Sequence, residues 1–358
     1  MKKGLLFLAG ENAYAQIMDK GLSPEDVSVC VSASGAAKWL SIYGLDRAVF
    51  GDWLKERTKP VHFFGTSIGA WKFAAACQND CKQAFDNLAD LYINQRYGKK
   101  ITADEVSGNA RDIIDAFLDD KRVDEILNHP VFRISFSAVR CLGSTAREEL
   151  IPQSKALLKA AFLNVFKRES IGRYFERTFF FDNRTKPPFL SVNGFPLNRV
   201  ALTGKNFKKA LLASGSIPLV MNGVDSIEGA PDGVYRDGGI IDYHPVFDFT
   251  GNTNENKIVL YHHFYDEIIP GWFDKKLFWR RAGKKDLKNV LLLAPSPEFV
   301  SDLPYKRIPD RKDFKNFEGK DEERIDFWKK AKEKSLALGQ EFIDAAGGSS
   351  IKKRIKLI

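Results

Sequence analysis

A serine between two glycines is the feature of this chain whose residue types most directly suggest chemistry. Gly65, Ser67 and Gly69 form a G-x-S-x-G sequence, with an apolar run before it at residues 61–64 and a helix-like run after it at residues 70–76. A strand, a sharp turn and a helix in this order expose a serine hydroxyl at the turn, and residues without a Cβ let the two elements approach closely. The pattern predicts a nucleophile at Ser67. The alternative is a turn that packs a helix on a sheet and does no chemistry.

An acyl-transfer serine also needs hydrogen-bond donors for the oxyanion that forms during attack. Ser34, Gly35, Ala36 and Lys38 belong to a run of small residues that ends in a lysine and leads into a helix-like segment. No bulky side chain screens the backbone N–H groups of such a loop, and the following helix adds its positive end. We predict an oxyanion hole formed by the N–H groups of Gly35, Ala36 and Ile68. Lys38 either fixes this loop or is an exposed lysine.

Asp237, in the sequence Asp237-Gly238-Gly239, is the predicted general base. Two glycines after an aspartate suit a carboxylate held at a turn that approaches another backbone closely. Taken alone, such a sequence is more often an ordinary turn, and that is our interpretation of Asp232 and the glycine after it. In the functional interpretation, the carboxylate of Asp237 accepts the serine proton directly.

Histidine is the residue that a Ser-His-Asp triad would require, after the acid in the sequence. None of the histidines lies in a glycine-rich loop of the expected kind, so a Ser-Asp dyad is favoured and a triad stays open as the alternative. Cys77 and Cys81 have C-x-x-x-C spacing without a nearby histidine, which favours free thiols, and no metal or cofactor is expected. The histidines after Asp237 are His244, His262 and His263, whereas His62 and His129 precede it.

The elements that must position these residues alternate between strand-like and helix-like patterns. This alternation predicts an α/β fold with a mostly parallel central sheet covered on both faces. Helices are expected from Cys77 to about Leu127 and over residues 146–170, 206–213 and 320–346. Strands are expected in the N-terminal segment and at residues 27–31, 131–139, 178–181, 189–192, 199–202, 258–261 and 289–293.

In combination, these sequences resemble the motifs of the patatin-like phospholipases. That family has a glycine-rich oxyanion loop ending in Arg or Lys, then a G-x-S-x-G serine, then Ala-Ser-x-x-x-Pro, then Asp-Gly-[Gly/Ala]. Residues 34–38, 65–69, 213–218 and 237–239 match the four motifs in this order, and Pro245 follows as it often does in the family. The matched part lies within residues 27–245, so about the last hundred residues are not covered.

The resemblance implies a three-layer α/β/α patatin-like fold and a Ser67–Asp237 dyad without histidine or metal. It implies hydrolysis of acyl esters of phospholipids or neutral lipids, with Ser34, Lys38, Gly65, Gly69, Gly238 and Gly239 supporting the motifs. The oxyanion loop departs from the family because Gly35 is its single glycine where three are usual. Alanine at position 36 leaves N–H donation open if its φ is negative. Alternatives are therefore a catalytically weak protein that binds lipid or a protein partner, or an acyltransferase.

Charge and composition limit the classes of partner that can be expected. The 358 residues include 55 Lys and Arg against 46 Asp and Glu, a net charge of +9, and most of that excess follows Gly271. This basic part is expected to be either a solvated helical surface or a contact with an anionic membrane. Acidic residues alternate with the basic ones and no recognisable nucleic-acid motif is present, so nucleic acid is not an expected partner.

The expected organisation is a patatin-like catalytic domain over residues 1–300, with a helical insertion at about residues 79–130 that flanks the site. Residues 301–358 are expected to form a basic helical extension packed on the same domain. No apolar run is as long as a membrane span. The N-terminal apolar stretch is interrupted by Glu11 and makes a poor secretion signal. With only four cysteines, the sequence favours a cytoplasmic protein, with peripheral membrane contact as a further expectation.

Overall fold

A ten-stranded sheet forms the centre of the computed structural model, which describes residues 4–98, 100–251, 257–348 and 350–358. The strands are Leu5–Ala9 (β1), Val27–Ser32 (β2), Val61–Thr66 (β3), Phe132–Cys141 (β4), Phe175–Phe181 (β5), Leu197–Ala201 (β6), Val234–Asp237 (β7), Ile258–His262 (β8), Val290–Pro295 (β9) and Lys356–Leu357 (β10). Their order is β10-β1-β9-β8-β2-β3-β4-β5-β6, and β7 pairs with β4. The sheet is mostly parallel, with antiparallel pairing only of β1 with β9 and of β4 with β5 and β7 among the described strands.

Both faces of the central strands are apolar and covered. Successive residues of a strand point to opposite faces, and here Cys30 and Phe63 join one buried cluster while Val31 and Phe64 join another. A sheet buried on both faces is the usual setting of parallel strands. The protein therefore has the predicted three-layer α/β/α fold. The helices are Glu11–Lys20 (α1), Tyr43–Ala48 (α2), Ile68–Ala76 (α3), Cys81–Ile93 (α4), Ala103–Phe117 (α5), Asp120–Asn128 (α6), Leu150–Phe166 (α7), Phe207–Gly215 (α8), Pro297–Asp302 (α9), Asp313–Asn316 (α10), Asp321–Ala346 (α11) and Ser350–Arg354 (α12).

The predicted strand at residues 189–192 is wrong, because these residues form a turn. Pro187 and Pro188 precede the segment, and proline has no N–H to donate to a strand ladder. Phe189 is buried all the same, with its ring 5.2 Å from that of Phe64 on β3. Its apolar character therefore reflects packing on the sheet rather than strand pairing.

Two strands that the sequence patterns did not predict complete the sheet. β7 lies antiparallel on β4, with Asp237 opposite Ala138. β10 consists of two residues in the last segment of the chain and pairs with β1. α11 packs along α2. The N-terminal strand and the last helices therefore meet at one edge of the sheet.

Candidate active site

Ser67 occupies the single position between β3 and α3. Its backbone has φ 54° and ψ −127°, a conformation that is strained for a residue with a side chain. The flanking glycines are required by close packing: a Cβ on Gly65 would lie 2.6 Å from the backbone of Gly69, and one on Gly69 would lie 2.5 Å from the carbonyl oxygen of Ser32. The sequence thus produces a tight strand-to-helix turn with the serine at its tip.

The structure places the Ser67 hydroxyl against the carboxylate of Asp237. The Oγ of Ser67 donates a hydrogen bond to Oδ2 of Asp237 at 2.7 Å. The other carboxylate oxygen, Oδ1, accepts the N–H of Gly239 at 2.7 Å, which holds the carboxylate plane. Because β4 pairs with both β3 and β7, it brings the ends of these two strands together although they are far apart in the chain. This geometry allows direct proton transfer from serine to aspartate.

Burial makes Asp237 a stronger base than an exposed aspartate. Its residue is 7% exposed, and loss of solvation raises the pKa to about 6, against an ordinary value of 3.8. The hydrogen bonds from Ser67 and Gly239 favour the ionised form and offset part of this effect. A pKa near the working pH is the condition under which a carboxylate is ionised and still accepts a proton readily.

Three backbone N–H groups around Ser67 have no hydrogen-bond partner within the described residues: those of Gly35, Ala36 and Ile68. Ala36, Ser67 and Ile68 line the same cavity. Ile68 is the first residue of α3, where unpaired N–H groups and the helix dipole favour negative charge. The arrangement leaves these donors available to an oxyanion.

The backbone of Ala36 does not meet the condition of a negative φ that the sequence analysis set for N–H donation, although this N–H has no partner within the described residues. Its φ is 48°, in the left-handed region that costs a residue with a Cβ about 1–2 kcal/mol. The neighbouring Gly35 is needed for a different reason, since a Cβ there would lie 2.3 Å from the ring of Phe264. The loop therefore keeps a conformation suited to glycine at a position that holds alanine.

Hydrogen bonds tie the loop to the serine turn. Ser34 Oγ donates to Thr66 Oγ1 at 3.0 Å, and Thr66 Oγ1 donates to the carbonyl oxygen of Asp242 at 2.9 Å. The carboxylate of Asp242 in turn forms two 2.8 Å hydrogen bonds with the guanidinium of Arg177 inside the protein. The loop, the serine turn and the segment after β7 are thereby held in one network.

The Ala-Ser-x-x-x-Pro sequence contacts both Ser67 and Asp237. Ser214 Oγ accepts the N–H of Ser67 at 3.0 Å and donates to the carbonyl oxygen of Ser137 at 2.7 Å. The carbonyl oxygen of Ser216 accepts the N–H of Asp237 at 2.9 Å. The motif match had signalled this segment, but the sequence analysis gave neither serine a role. The two serines thus fix the backbones of Ser67 and Asp237 by accepting their N–H groups.

Two cavities, each of about 330 Å³, adjoin Ser67. Both are lined by Ala36, Ser67, Ile217 and Arg311. The first is largely apolar and the second is more polar, so the serine lies where an apolar space meets a polar one. Residues that line the apolar cavity include Trp71, Tyr92, Tyr97, Ile113, Met221 and Phe314.

Cationic side chains line the polar cavity. Lys38 forms an ion pair with Asp310, which connects the oxyanion loop to the C-terminal part of the chain. Lys275 lies with its Nζ 4.0 Å from the ring centre of Tyr243, and burial together with the nearby Lys38 and Arg311 lowers its pKa to about 8. These contacts were missed by sequence analysis because no motif covers Lys275 or residues 310–315.

The histidines have other partners in the structure. None of the five lines either cavity. His62 and His129 lie near Arg133, and burial with this charge lowers the pKa of each to about 4. Each of the three later histidines has a hydrogen-bond partner. The partners are the N–H of Ile269 for His244, the carboxylate of Asp46 for His262, and the backbone of Tyr265 for His263. The geometry thus offers the serine a carboxylate and not an imidazole.

A buried ionic group anchors the helix that follows Ser67. Lys72 on α3 lies with its Nζ 2.7 Å from Oδ2 of Asp46, and Nδ1 of His262 lies 2.9 Å from Oδ1 of the same carboxylate. All three side chains are almost fully buried. The group connects α2, α3 and β8, and so helps to fix the direction in which α3 leaves the serine turn.

Within the described ranges, no group of three or more His, Cys, Asp or Glu side chains is arranged to hold a metal ion. None of the helices in these ranges combines the length and apolar character that a membrane crossing requires.

Comparisons with known proteins show a distant structural similarity. No protein-family model and no curated protein matches the chain. Among solved structures, the chain is similar to the crystal structure of VipD from Legionella pneumophila, with 13% identity and a TM-score of 0.32. The match covers 66% of this chain and 50% of the VipD chain, so the chain spans about half the length of that protein. A similarity this weak carries no argument about chemistry, for which the geometry of the site is the basis.

Proposed function

We propose that the protein is a lipid acyl hydrolase of the patatin-like type, with Ser67 as nucleophile and Asp237 as general base. The observation that carries the proposal is the 2.7 Å hydrogen bond between the Ser67 hydroxyl and the Asp237 carboxylate, beside an apolar cavity. The motif resemblance supports it independently of the geometry. The weak structural similarity described above does not enter the argument.

In the proposed reaction, Asp237 takes the hydroxyl proton as Ser67 Oγ attacks the carbonyl carbon of the ester. The carbonyl oxygen becomes an oxyanion that accepts the N–H groups of Gly35, Ala36 and Ile68, and each such donor is typically worth about 3 kcal/mol in the transition state. Collapse breaks the ester bond, and the leaving alcohol takes the proton from Asp237. A water molecule, deprotonated by Asp237, then attacks the acyl-serine; the bond to Ser67 Oγ breaks, the fatty acid is released, and Ser67 Oγ takes the proton back from Asp237.

The two cavities suggest how a substrate would lie. An acyl chain fits the apolar cavity, which contains Trp71, Tyr97 and Met221, because burial of each methylene contributes about 0.8 kcal/mol. The polar part of the substrate would then face Lys275, which lines only the second cavity, and Arg311, which lines both. An ester with an anionic head group, such as a phospholipid, matches this pair of environments best.

Substitution of Ser67 by alanine tests the proposal. Purified wild type is expected to hydrolyse p-nitrophenyl acyl esters and to react with a fluorophosphonate probe at Ser67. In Ser67→Ala both signals should disappear, with hydrolysis falling at least about a thousandfold. Ser301→Ala, at a surface serine, is the control and should keep both. Undiminished hydrolysis in folded Ser67→Ala protein would refute the assignment.

A catalytically weak protein that binds lipid remains the second candidate, because Ala36 holds the oxyanion loop in a backbone conformation unfavourable for alanine. Soluble, folded wild type that binds fatty acids but neither turns over esters nor reacts with the probe would support it. Acyl transfer to an added alcohol, in preference to release of free fatty acid, would instead identify an acyltransferase.

A further inference from the structure

The outer side of α7 carries an unusual number of exposed apolar side chains. α7 buries Ala156, Leu157 and Ala160 against the sheet, as expected of a surface helix. Its opposite side is apolar as well, although soluble proteins rarely expose large contiguous apolar patches without a function. The exposed fractions are 65% for Leu150, 66% for Ile151, 70% for Leu158, 65% for Phe162 and 72% for Phe166.

A second segment extends this apolar surface. Phe278 and Trp279 are 75% and 67% exposed. They lie beside the C-terminal half of α7, because the guanidinium of Arg280 donates to the carbonyl oxygen of Asn164 at 3.1 Å. We call the exposed side of α7 together with residues 275–285 the aromatic face.

The aromatic face borders the candidate active site at both ends of α7. Near its start, the side-chain oxygen of Gln153, on the buried side of α7, accepts the N–H of Leu219, two residues after Ile217, which lines both cavities. Near its end, Asn164 donates to the carboxylate of Asp274 at 2.7 Å, and the neighbouring Lys275 lines the polar cavity. A surface that docked through this face would therefore meet Lys275, which lines the same polar cavity as Ser67.

The charge of the aromatic face is entirely positive. Residues 150–168 contain four Lys or Arg and no acidic residue, and residues 275–285 contain six and none. Exposed members include Lys155, Lys159, Lys284 and Lys285. Two of these ten cations, Arg168 and Arg281, have carboxylate partners in Asp274 and Glu267. Among the described residues no ion pair involves the four exposed lysines, which lie on the same two segments as the exposed aromatic side chains.

We propose that the aromatic face docks the protein on the surface of an anionic lipid bilayer. Exposed Trp and Phe side chains are suited to the boundary between head groups and acyl chains, and lysines around them are attracted to anionic lipids. The all-positive charge favours this occupant over a second copy of the chain, whose like-charged face would repel it. Docking brings membrane lipid beside the cavities and goes beyond the proposed hydrolysis, which concerns Ser67 alone.

Vesicle co-flotation tests the docking. Ser67→Ala protein is to be mixed with vesicles of phosphatidylcholine alone, or with about one third phosphatidylglycerol, at low and high salt. Binding is expected only to the anionic vesicles and should weaken with salt. Two variants should each reduce vesicle binding at least about tenfold. The first is the double variant Phe166→Ser/Trp279→Ser, and the second is the quadruple variant Lys155→Gln/Lys159→Gln/Lys284→Gln/Lys285→Gln. Leu336→Ser removes an apolar side chain that is 48% exposed on α11 and should leave binding unchanged.

Equal binding by the variants, or equal binding to neutral and anionic vesicles, would overturn the proposal. So would a stable dimer in light scattering that only Phe166→Ser/Trp279→Ser abolishes while vesicle binding persists. In a Ser67-containing background, the same variants should retain hydrolysis of a soluble short-chain ester, which shows that they fold. Vesicle binding without any ester hydrolysis in wild type would contradict the proposed function and leave the docking intact.

Discussion

Replacing Asp237 by asparagine should make the protein more stable while it abolishes ester hydrolysis. The pKa of this carboxyl is raised to about 6 in the fold, against 3.8 for an ordinary aspartate, chiefly by burial. Below about pH 4 the group is protonated in both states and costs nothing. As the pH rises from about 4 to about 6, the unfolded chain ionises this carboxyl while the fold keeps it protonated, and the free energy of unfolding falls by about 3 kcal/mol in total. Asparagine has no such ionisation.

The measurement is urea unfolding of wild type and Asp237→Asn at about pH 4 and about pH 8. The variant should gain up to about 3 kcal/mol at the higher pH and little at the lower one. Asp242→Asn is the matched control, since Asp242 is also buried but is paired with Arg177 through two hydrogen bonds. Removing that carboxylate leaves a buried guanidinium without its partner and should cost about 3–5 kcal/mol.

The reasoning is refuted if Asp237→Asn loses as much stability at pH 8 as Asp242→Asn, or if its effect is the same at both pH values. Either result would mean that the Asp237 carboxylate is a structural partner and not a buried charge kept at a cost to stability. Loss of hydrolysis must accompany the gain, because an amide cannot accept the proton of Ser67 at neutral pH. Hydrolysis at the wild-type rate would remove Asp237 from the mechanism.

Three further predictions concern the same site. In wild type, kcat/KM for a soluble ester should rise with pH and level off above about 6, because Asp237 must be ionised to act as a base; a profile flat between pH 4 and 8 would contradict this. Ala36→Gly should raise the free energy of unfolding by about 1 kcal/mol, because φ at position 36 is 48°. The same variant should keep or increase kcat. Destabilisation in urea would show that the contacts of the alanine methyl contribute more than its backbone strain costs. Lys72→Met should lower stability by about 3–5 kcal/mol, because it leaves the Asp46 carboxylate buried without its ammonium partner, and thermal unfolding would detect this.

Local patterns in the sequence were sufficient to predict the turn at Ser67, and the candidate role of Ser67 and Asp237 stays a prediction. Two glycines between a strand and a helix indicated the turn around Ser67. The two glycines after Asp237 indicated a turn that approaches another segment of backbone closely. Gly238, for example, leaves room for the carbonyl oxygen of Ser137, which a Cβ would meet at 2.3 Å. The alternation of strand and helix patterns was likewise sufficient for the fold class.

Contacts between distant segments could not be predicted in this way. Arg311 lines both cavities only because the C-terminal part of the chain folds back over the serine turn, and no local pattern encodes that contact. The positive φ of Ala36 was missed because alanine ordinarily avoids that region. Periodicity also could not distinguish the two apolar sides of α7, since Leu157 and Leu158 are neighbours and only the first is buried.

Unfavourable features converge on one small region of this fold, and their convergence favours chemistry over a purely structural turn. Ser67 and Ala36 both have positive φ, and Asp237 is buried with a raised pKa. A turn that merely packed α3 on the sheet would gain nothing from these two strained residues or from the buried carboxyl. A single substitution would remove each of them: glycine relieves a positive φ, and asparagine removes the buried charge. Strain and buried charge of this kind persist where activity requires them. The expected gain in stability of Asp237→Asn and Ala36→Gly is therefore also a measure of what the site costs the fold.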